Sequence, residues 1–271
     1  MAKLWNKYRY LILRRIVQIS LLVLYFGGNA WGLKILRGDL SASKIFNMIP
    51  MSDPYAVLQM LAAGAVISAD LLLGAAIATL FYMLIGGRAF CSWVCPINMV
   101  TDAASYARRV LKIDNIKGTR QPASRNIRYW VLVLSLVVSA IMGLAAFEFI
   151  SPISMVVRGV VFGIGFGWAA VVVIFLFDLL VLKNGWCGHV CPLGGFYSLI
   201  GKFSFIRVHH NEANCTACMK CKVVCPESQV LYMVGKESLP VLSGECTNCA
   251  RCIEVCDDDA LGFSIKSLIK K

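Results

Sequence analysis

Eight cysteines stand in two copies of one pattern. Cys215, Cys218, Cys221 and Cys225 in "CTACMKCKVVCP", and Cys246, Cys249, Cys252 and Cys256 in "CTNCARCIEVCD", both run C-x2-C-x2-C-x3-C. Three thiolates at this spacing wrap a loop around one iron–sulfur cube, and the fourth, on the helical turn that follows, reaches the neighbouring cube. The pattern assigns Cys215, Cys218, Cys221 and Cys256 to one [4Fe-4S] cluster. It assigns Cys246, Cys249, Cys252 and Cys225 to a second. Zinc ribbons are the competing use of such cysteines, and two full copies of the four-cysteine run argue against them. The first run ends in Pro226 and the second in Asp257, within the acidic stretch Asp257–Asp259. That stretch reads as a solvated cap in preference to a docking face.

The other four cysteines form two pairs, Cys91/Cys95 in "GGRAFCSWVCPIN" and Cys187/Cys191 in "NGWCGHVCPLGG". Each second cysteine is followed directly by proline, Pro96 and Pro192. Proline is favoured at the first position of a helix and disfavoured inside one. Each pair therefore belongs at a helix break, with its sulfurs near the start of the next helix, where a thiolate is favoured. Brought together, the two pairs would supply four thiolates, enough for a third iron–sulfur centre. A thiol relay and a structural role stay open beside that reading. A c-type haem is excluded, because no C-x-x-C-H occurs.

Both pairs follow long apolar runs. The chain is 58% hydrophobic and 15% charged, against roughly half and a quarter for a soluble domain. The runs are Ile16–Trp31, Met60–Ile85, Tyr129–Ile150 and Gly159–Leu182, and a spanning helix needs roughly 20 mostly apolar residues. The expected fold is thus a polytopic α-helical membrane protein of four transmembrane helices in a two-helix repeat, followed by an α+β two-cluster ferredoxin domain. In domains, 1–86 is the first helix pair and 87–128 a basic loop with the first Cys pair. Residues 129–182 form the second helix pair, 183–207 the second Cys pair and a linker, and 208–271 the ferredoxin domain. The outer connections of the halves are alike, "FNMIPMSDP" and "FEFISPIS", and paired repeats often build a site at their interface.

Lysine and arginine set the orientation. Five precede the first run (Lys3, Lys7, Arg9, Arg14, Arg15), and eight occupy the loop between the second and third (Arg88, Arg108, Arg109, Lys112, Lys117, Arg120, Arg125, Arg128). Lys34, Arg37 and Lys44 lie between the first two runs, and Arg158 alone connects the last two. The positive-inside rule puts both termini and the basic loop in the cytoplasm. All twelve cysteines then fall on the reducing side, which argues against disulfides. The net charge of +12 is concentrated in this collar, which suits anionic lipid, and no aromatic-interleaved basic patch suggests nucleic acid. The N-terminal segment, with its Arg14-Arg15 pair, reads as an anchor and not as a cleaved signal.

These motifs, with the outer "SDPYAVLQ", resemble the NapH family of ferredoxin-type membrane components of periplasmic nitrate reductase systems. The resemblance spans essentially the whole chain. It implies a quinol dehydrogenase that draws on the quinol pool and passes electrons to a periplasmic iron–sulfur partner, NapG. From there they would reach a c-type dihaem cytochrome and a molybdenum reductase, which this chain would feed without reducing nitrate itself. Related modules serve nitrous oxide reduction (NosR), copper handling in oxidase assembly (CcoG) and amine oxidation (MauN). An assembly or metal-reducing factor of the CcoG type is thus the rival reading. A non-catalytic membrane anchor for a ferredoxin-like partner is a third.

Quinol oxidation releases two protons and two electrons and needs an apolar slot with a proton acceptor. Asp70, Glu148 and Asp178 are the acids in or near the apolar runs, where charge is costly, and His189 lies inside the second Cys pair. Each also has a plain structural reading, as an interfacial or packed residue. His209 and His210 read as a solvated pair, and Gly163, Gly165 and Gly167 of "GIGFG" as small residues that let helices approach inside a span. A cytoplasmic ferredoxin domain and a periplasmic acceptor stand on opposite sides of a hydrocarbon core ~30 Å thick. Intermediate centres, or the quinone itself, must carry the electrons across.

Overall fold

The first helix, α1 (Ala2–Ala30), runs through an apolar stretch with no proline and ends where Gly32 turns the chain at φ +66°. In this computed structural model the described residues are 2–32, 36–46, 48–113, 124–163, 165 and 167–265. Lys34, the centre of the basic loop with Lys117 and Arg120, and the residues from Lys266 onward lie outside them. The chain divides into two compact units that do not follow sequence order. One holds residues 1–17, 81–94 and 197–271; the other holds 18–80 and 95–196.

The second unit begins within α1 and continues into an antiparallel sheet between the first two apolar runs, where the sequence reading placed only a connection. Strands β1 (Leu36–Gly38), β2 (Ala42–Ile45) and β3 (Ile49–Ser52) pair in that order. Asp39 makes the β1–β2 turn by accepting from the backbone N–H groups of Ser41 and Ala42 at 3.0 and 2.9 Å. Helix α2 (Pro54–Ala62) starts on Asp53, whose side chain accepts from Tyr55 N, with Pro54 in the first turn. Helix α3 (Ala69–Ile85) follows. The expected run Met60–Ile85 is therefore two helices, broken where Gly64 takes φ +71°.

The later runs are broken too. After α4 (Ala89–Trp93) and α5 (Ile97–Val110), α6 (Ile127–Met142) stops at Gly143, in the left-handed conformation that ends many helices. Helices α7 (Ala146–Ile150) and α8 (Pro152–Phe162) follow. The "GIGFG" glycines do not lie inside a helix: α8 ends at Phe162, Gly163 takes φ +112°, and Gly167 opens α9 (Gly167–Leu176). Close approach does hold at Gly167, where a Cβ would stand 2.7 Å from the Met155 carbonyl. Helix α9 runs into a π-helical turn over Phe177–Val181, and a second π turn spans Trp186–Val190 before α10 (Pro192–Gly201). Among the described residues one stretch, Tyr8–Ala30, is long and apolar enough to cross a membrane by length and composition. The segments Ala69–Ile85, Ile127–Met142 and Gly167–Val181 are apolar but shorter.

The first unit contains a C-terminal α+β ferredoxin domain. Strands β4 (Ile206–His210) and β5 (Leu261–Ile265) pair antiparallel, Ile206 opposite Ile265 and His210 opposite Leu261. Helices α11 (Lys220–Val224) and α12 (Arg251–Glu254) follow the two cysteine loops. Val208, Leu231, Met233, Val241 and Leu261 form the core with Cys221 and Cys252. The histidine pair is not solvated as a pair: both lie in β4, and His210 is fully buried, with Nδ1 2.8 Å from the Glu237 carbonyl. The start of α1 belongs to this unit, where Tyr10 meets Phe263 edge-on at 5.9 Å.

The basic collar also needs correction. Arg14, Arg88, Arg108 and Arg128 are each at most 2% exposed, so they do not face lipid headgroups. Two of them serve carbonyls freed by the π turns of the second unit. Arg108 donates to the carbonyls of Asp178 and Leu179 at 3.1 and 2.7 Å, and Arg128 to that of Gly188 at 3.3 Å. A π turn displaces carbonyls from the regular helical ladder, and a buried carbonyl requires a donor.

Candidate functional site: the cysteine loops

The two four-cysteine loops have the same backbone. In the first, Ala217 and Met219 take φ of 52° and 59°; in the second, Asn248 and Ala250 take 48° and 61°. These are equivalent positions, two residues after the first cysteine and one after the second. A non-glycine residue in this region costs on the order of 1–2 kcal/mol. The same cost at the same places in both copies points to a shape that each loop must present to what it encloses.

Cys221 lies within electrostatic reach of Cys215, Cys218 and Cys256. Cys225, Cys246, Cys249 and Cys252 line one cavity, with Glu227 and Thr247 also in its wall. Among the described residues no three His, Cys, Asp or Glu side chains converge on a point that could hold a single metal ion. Burial is the main reason that the Cys221 and Cys252 thiols are held above their ordinary value, with neighbouring thiols adding to it. Cys246 is pushed up to about 11 by burial, opposed in part by the Asn248 amide and by Arg88 and Arg207. The quartets differ in exposure: Cys218 is exposed, whereas Cys249 and Cys252 are buried. Near the first loop, Asp258 accepts from the Thr216 hydroxyl at 2.5 Å, and Asp257 pairs with Lys220 at 2.8 Å in solvent. The acidic run therefore ties down that loop.

Sequence reading missed what closes the second loop. Arg88 Nη1 donates to Glu227 Oε1 at 2.6 Å, and the two side chains are 1% and 2% exposed. It also donates to the Glu245 carbonyl at 3.0 Å. Removing one member of a buried ion pair costs about 3–5 kcal/mol, because the other charge is left unpaired. Arg207 is held by four carbonyls, those of Ser204, Val241, Gly201 and Lys202. Ser92 Oγ donates to the Thr247 carbonyl at 2.7 Å, and Asn248 Nδ2 to the Ile85 carbonyl at 3.0 Å. Gly86 and Gly87 permit this approach: a Cβ on Gly87 would lie 2.1 Å from the Tyr197 carbonyl, and one on Gly86 2.3 Å from Asn248 Nδ2. The buried glycine pair in "GGRAFC" was the available signal.

The C-x3-C-P pairs are built alike. Cys91 lies in α4 and Cys187 in the π turn 186–190, both half-buried; Cys95 and Cys191 are buried just ahead of Pro96 and Pro192, where α5 and α10 begin. Cys91 belongs to the first unit and the other three to the second. In the second unit, Gln18 Nε2 donates to the Cys95 carbonyl at 3.1 Å, and the Tyr55 phenol lies within electrostatic reach of Cys191. Tyr55 and Gln59, both of the "SDPYAVLQ" stretch, are buried structural residues. The Tyr55 hydroxyl bonds Ser135, and Gln59 Oε1 accepts from Phe147 N at 2.9 Å.

The four proton candidates fall in different settings. Asp70 is exposed beside Lys44, 3.7 Å away, on a cleft of about 360 Å³ bordered by Ser43, Ser52 and Ser68. It is not a buried acid. Glu148 is a structural tie that accepts from Ser41, and from Ser154 at 2.5 Å, with Arg158 at 3.9 Å. Asp178 is fully buried in its π turn, where Oδ1 accepts from Trp186 N at 2.9 Å. His189 is 6% exposed in the next π turn.

Two duplicated thiol loops on an α+β scaffold define an iron–sulfur protein of ferredoxin type. A family profile described as "4Fe-4S binding domain" matches residues 69–114 and again 161–208, each match containing one C-x3-C-P pair. A second, "4Fe-4S dicluster domain", matches residues 207–257. The chain is 45% identical to the ferredoxin-type protein NapH of Haemophilus influenzae, over 97% of this chain and 92% of that one. It is 42% identical to the methylamine utilization ferredoxin-type protein MauN of Methylorubrum extorquens, over 93% and 88%. To NapH of Escherichia coli it is 41% identical, over 94% and 89%. No solved structure matches. The chain belongs to this NapH/MauN family of ferredoxin-type iron–sulfur proteins.

Proposed function

We propose that this protein is a membrane-bound electron-transfer subunit that oxidises quinol and delivers electrons to a periplasmic iron–sulfur partner of the NapG kind. That partner would feed a c-type cytochrome and a periplasmic nitrate reductase. The observation that carries the reading is the gathering of Cys225 with Cys246, Cys249 and Cys252 around one cavity, beside the matching Cys215, Cys218, Cys221 and Cys256 set. These eight thiolates hold two [4Fe-4S] clusters, which when bound supply one-electron storage. The exposed Cys218 side suits exchange with another protein. Cys91, Cys95, Cys187 and Cys191 supply ligands for a third centre; each pair falls within its own match to a 4Fe-4S binding profile. The chain crosses the inner membrane four times with both termini in the cytoplasm, a reading supported by one long and three shorter apolar helices and by the lysine and arginine count.

Quinol gives up two protons with its two electrons. Of the four candidates, Asp178 and His189 suit that role, since both are buried and both sit on π turns, which recur at functional sites. The test is quinol oxidation by the purified protein with its periplasmic partner. Two electrons delivered per quinol support the proposal; a protein carrying both clusters that leaves quinol untouched overturns the quinol step. A second reading is service to an amine-oxidising system, supported by the MauN relatives at similar identity. Reconstitution with each acceptor chain separates the two.

A further inference from the structure

We propose that Arg88 and Glu227 are positioning residues that set the reduction potential of the cluster held by Cys225, Cys246, Cys249 and Cys252. This rests on the reading of those cysteines as cluster ligands. Glu227 stands two residues beyond Cys225 and lines the cavity that the four cysteines share. The Arg88 guanidinium bonds the Glu227 carboxylate and the carbonyl of Glu245, the residue before Cys246. It thus bridges the flanks of two ligands that are 21 residues apart in sequence. Gln229 Nε2 braces the same place, donating to Glu227 at 2.9 Å and Glu245 at 2.7 Å. Arg88 comes from the first C-x3-C-P segment, three residues before Cys91. Glu227, in the cavity wall, is therefore held by a residue more than a hundred positions upstream of the ferredoxin domain.

Reduction places one more negative charge on a cluster, so nearby fixed charges shift its potential, and shift it further where water is excluded. In the native pair the two charges largely cancel. Removing either one alone leaves the other uncompensated, and the two removals have opposite signs. The ion pair beside the first quartet, Lys220 with Asp257, stands in solvent, where water screens it; among the described residues no buried pair flanks that quartet, so it serves as an internal reference.

The test is an anaerobic redox titration of the purified full-length protein, followed by electron paramagnetic resonance. Arg88→Met should shift the potential of one cluster downward and Glu227→Gln should shift it upward. The double variant should return close to wild type. The other cluster should stay put in all three. Arg88→Lys should fall nearer to wild type than Arg88→Met. Shifts of the same sign, shifts in both clusters alike, or no shift would overturn the proposal. If Arg88→Met fails to hold iron, the upward shift in Glu227→Gln still decides the matter. A wild-type protein with no two-cluster spectrum would instead sink the ligand reading underneath.

Discussion

Trp93 donates its indole N–H to the carbonyl of Asn248 at 3.1 Å. Trp93 lies two residues past Cys91, and Asn248 lies between Cys246 and Cys249. One hydrogen bond thus joins the first C-x3-C-P segment to the backbone of a cysteine loop, at a residue held in the left-handed conformation. Ser92 and Thr247 make the neighbouring bond.

Replacing Trp93 by Phe keeps the ring and removes the donor. A carbonyl left without its partner costs about 1–3 kcal/mol. Trp93→Phe should therefore lower unfolding stability by about 1 kcal/mol and hasten iron loss from the Cys246 quartet. The same change at Trp168, which is 63% exposed, should do neither. Equal behaviour of the two variants would show that the bond does not support the loop.

Anaerobic iron and sulfide analysis should give about eight irons per chain from the two ferredoxin quartets, and about twelve with a third cube, at four irons per cube. Serine at Cys91, Cys95, Cys187 or Cys191 should then remove one centre and leave the other two spectra intact. Residues acting as a unit give non-additive losses, so Cys91→Ser with Cys187→Ser should be no worse than either alone. Full electron delivery by the quadruple variant would exclude a redox role for the pairs.

Arg108→Met should destabilise the second unit by about 1–3 kcal/mol, the cost of a buried carbonyl left without its donor, here that of Asp178, with the part-buried Leu179 carbonyl losing its donor as well. Thermal unfolding of the purified protein reads the loss. Lysine at this position should recover part of it, since it can donate but lacks the planar fork. A midpoint unchanged in Arg108→Met would mean that the π turn holds without it.

Ligand thiols must shed protons to bind iron, so loading depends on pH. Burial holds the Cys246 thiol up at about 11, above an unfolded value near ~8.5. In the apo-protein the folded state then keeps this proton to higher pH than the unfolded chain does. This thiol leaves stability unchanged below about pH 8 and lowers it as pH rises from ~8.5 toward about 11. Cys246→Ser should remove that part of the alkaline loss, as read by denaturant midpoints of both apo-proteins. Iron uptake should meanwhile strengthen with rising pH. Identical alkaline profiles for the two apo-proteins would contradict the buried-thiol account.

The C-x2-C-x2-C-x3-C spacing was enough to sort the eight thiols into two quartets, because ligands a few residues apart on one loop have little freedom to go elsewhere; in the structure Cys225 lines one cavity with Cys246, Cys249 and Cys252. Pro96 and Pro192 likewise announced helix starts from local sterics alone. The apolar runs announced helices but not their breaks: at Gly64, Gly143 and Gly163 the backbone takes positive φ within or between runs that read as continuous. Hydropathy averages over such single residues.

What the sequence by itself determined is the local chemistry: which cysteines share a loop, which residues open helices, and how the charge is distributed. Tertiary structure alone decided which charges are solvated. Arg88, Arg108 and Arg128 count equally in a basic loop, yet one is buried against Glu227 and two against the carbonyls of π turns. Asp70 and Asp178 read as equivalent acids, yet one meets Lys44 in solvent and the other is fully buried. The reason is that a cysteine loop is specified by contacts within a dozen residues. Burial of a charge depends on partners that arrive from 60 to 139 positions away, and no local pattern encodes them.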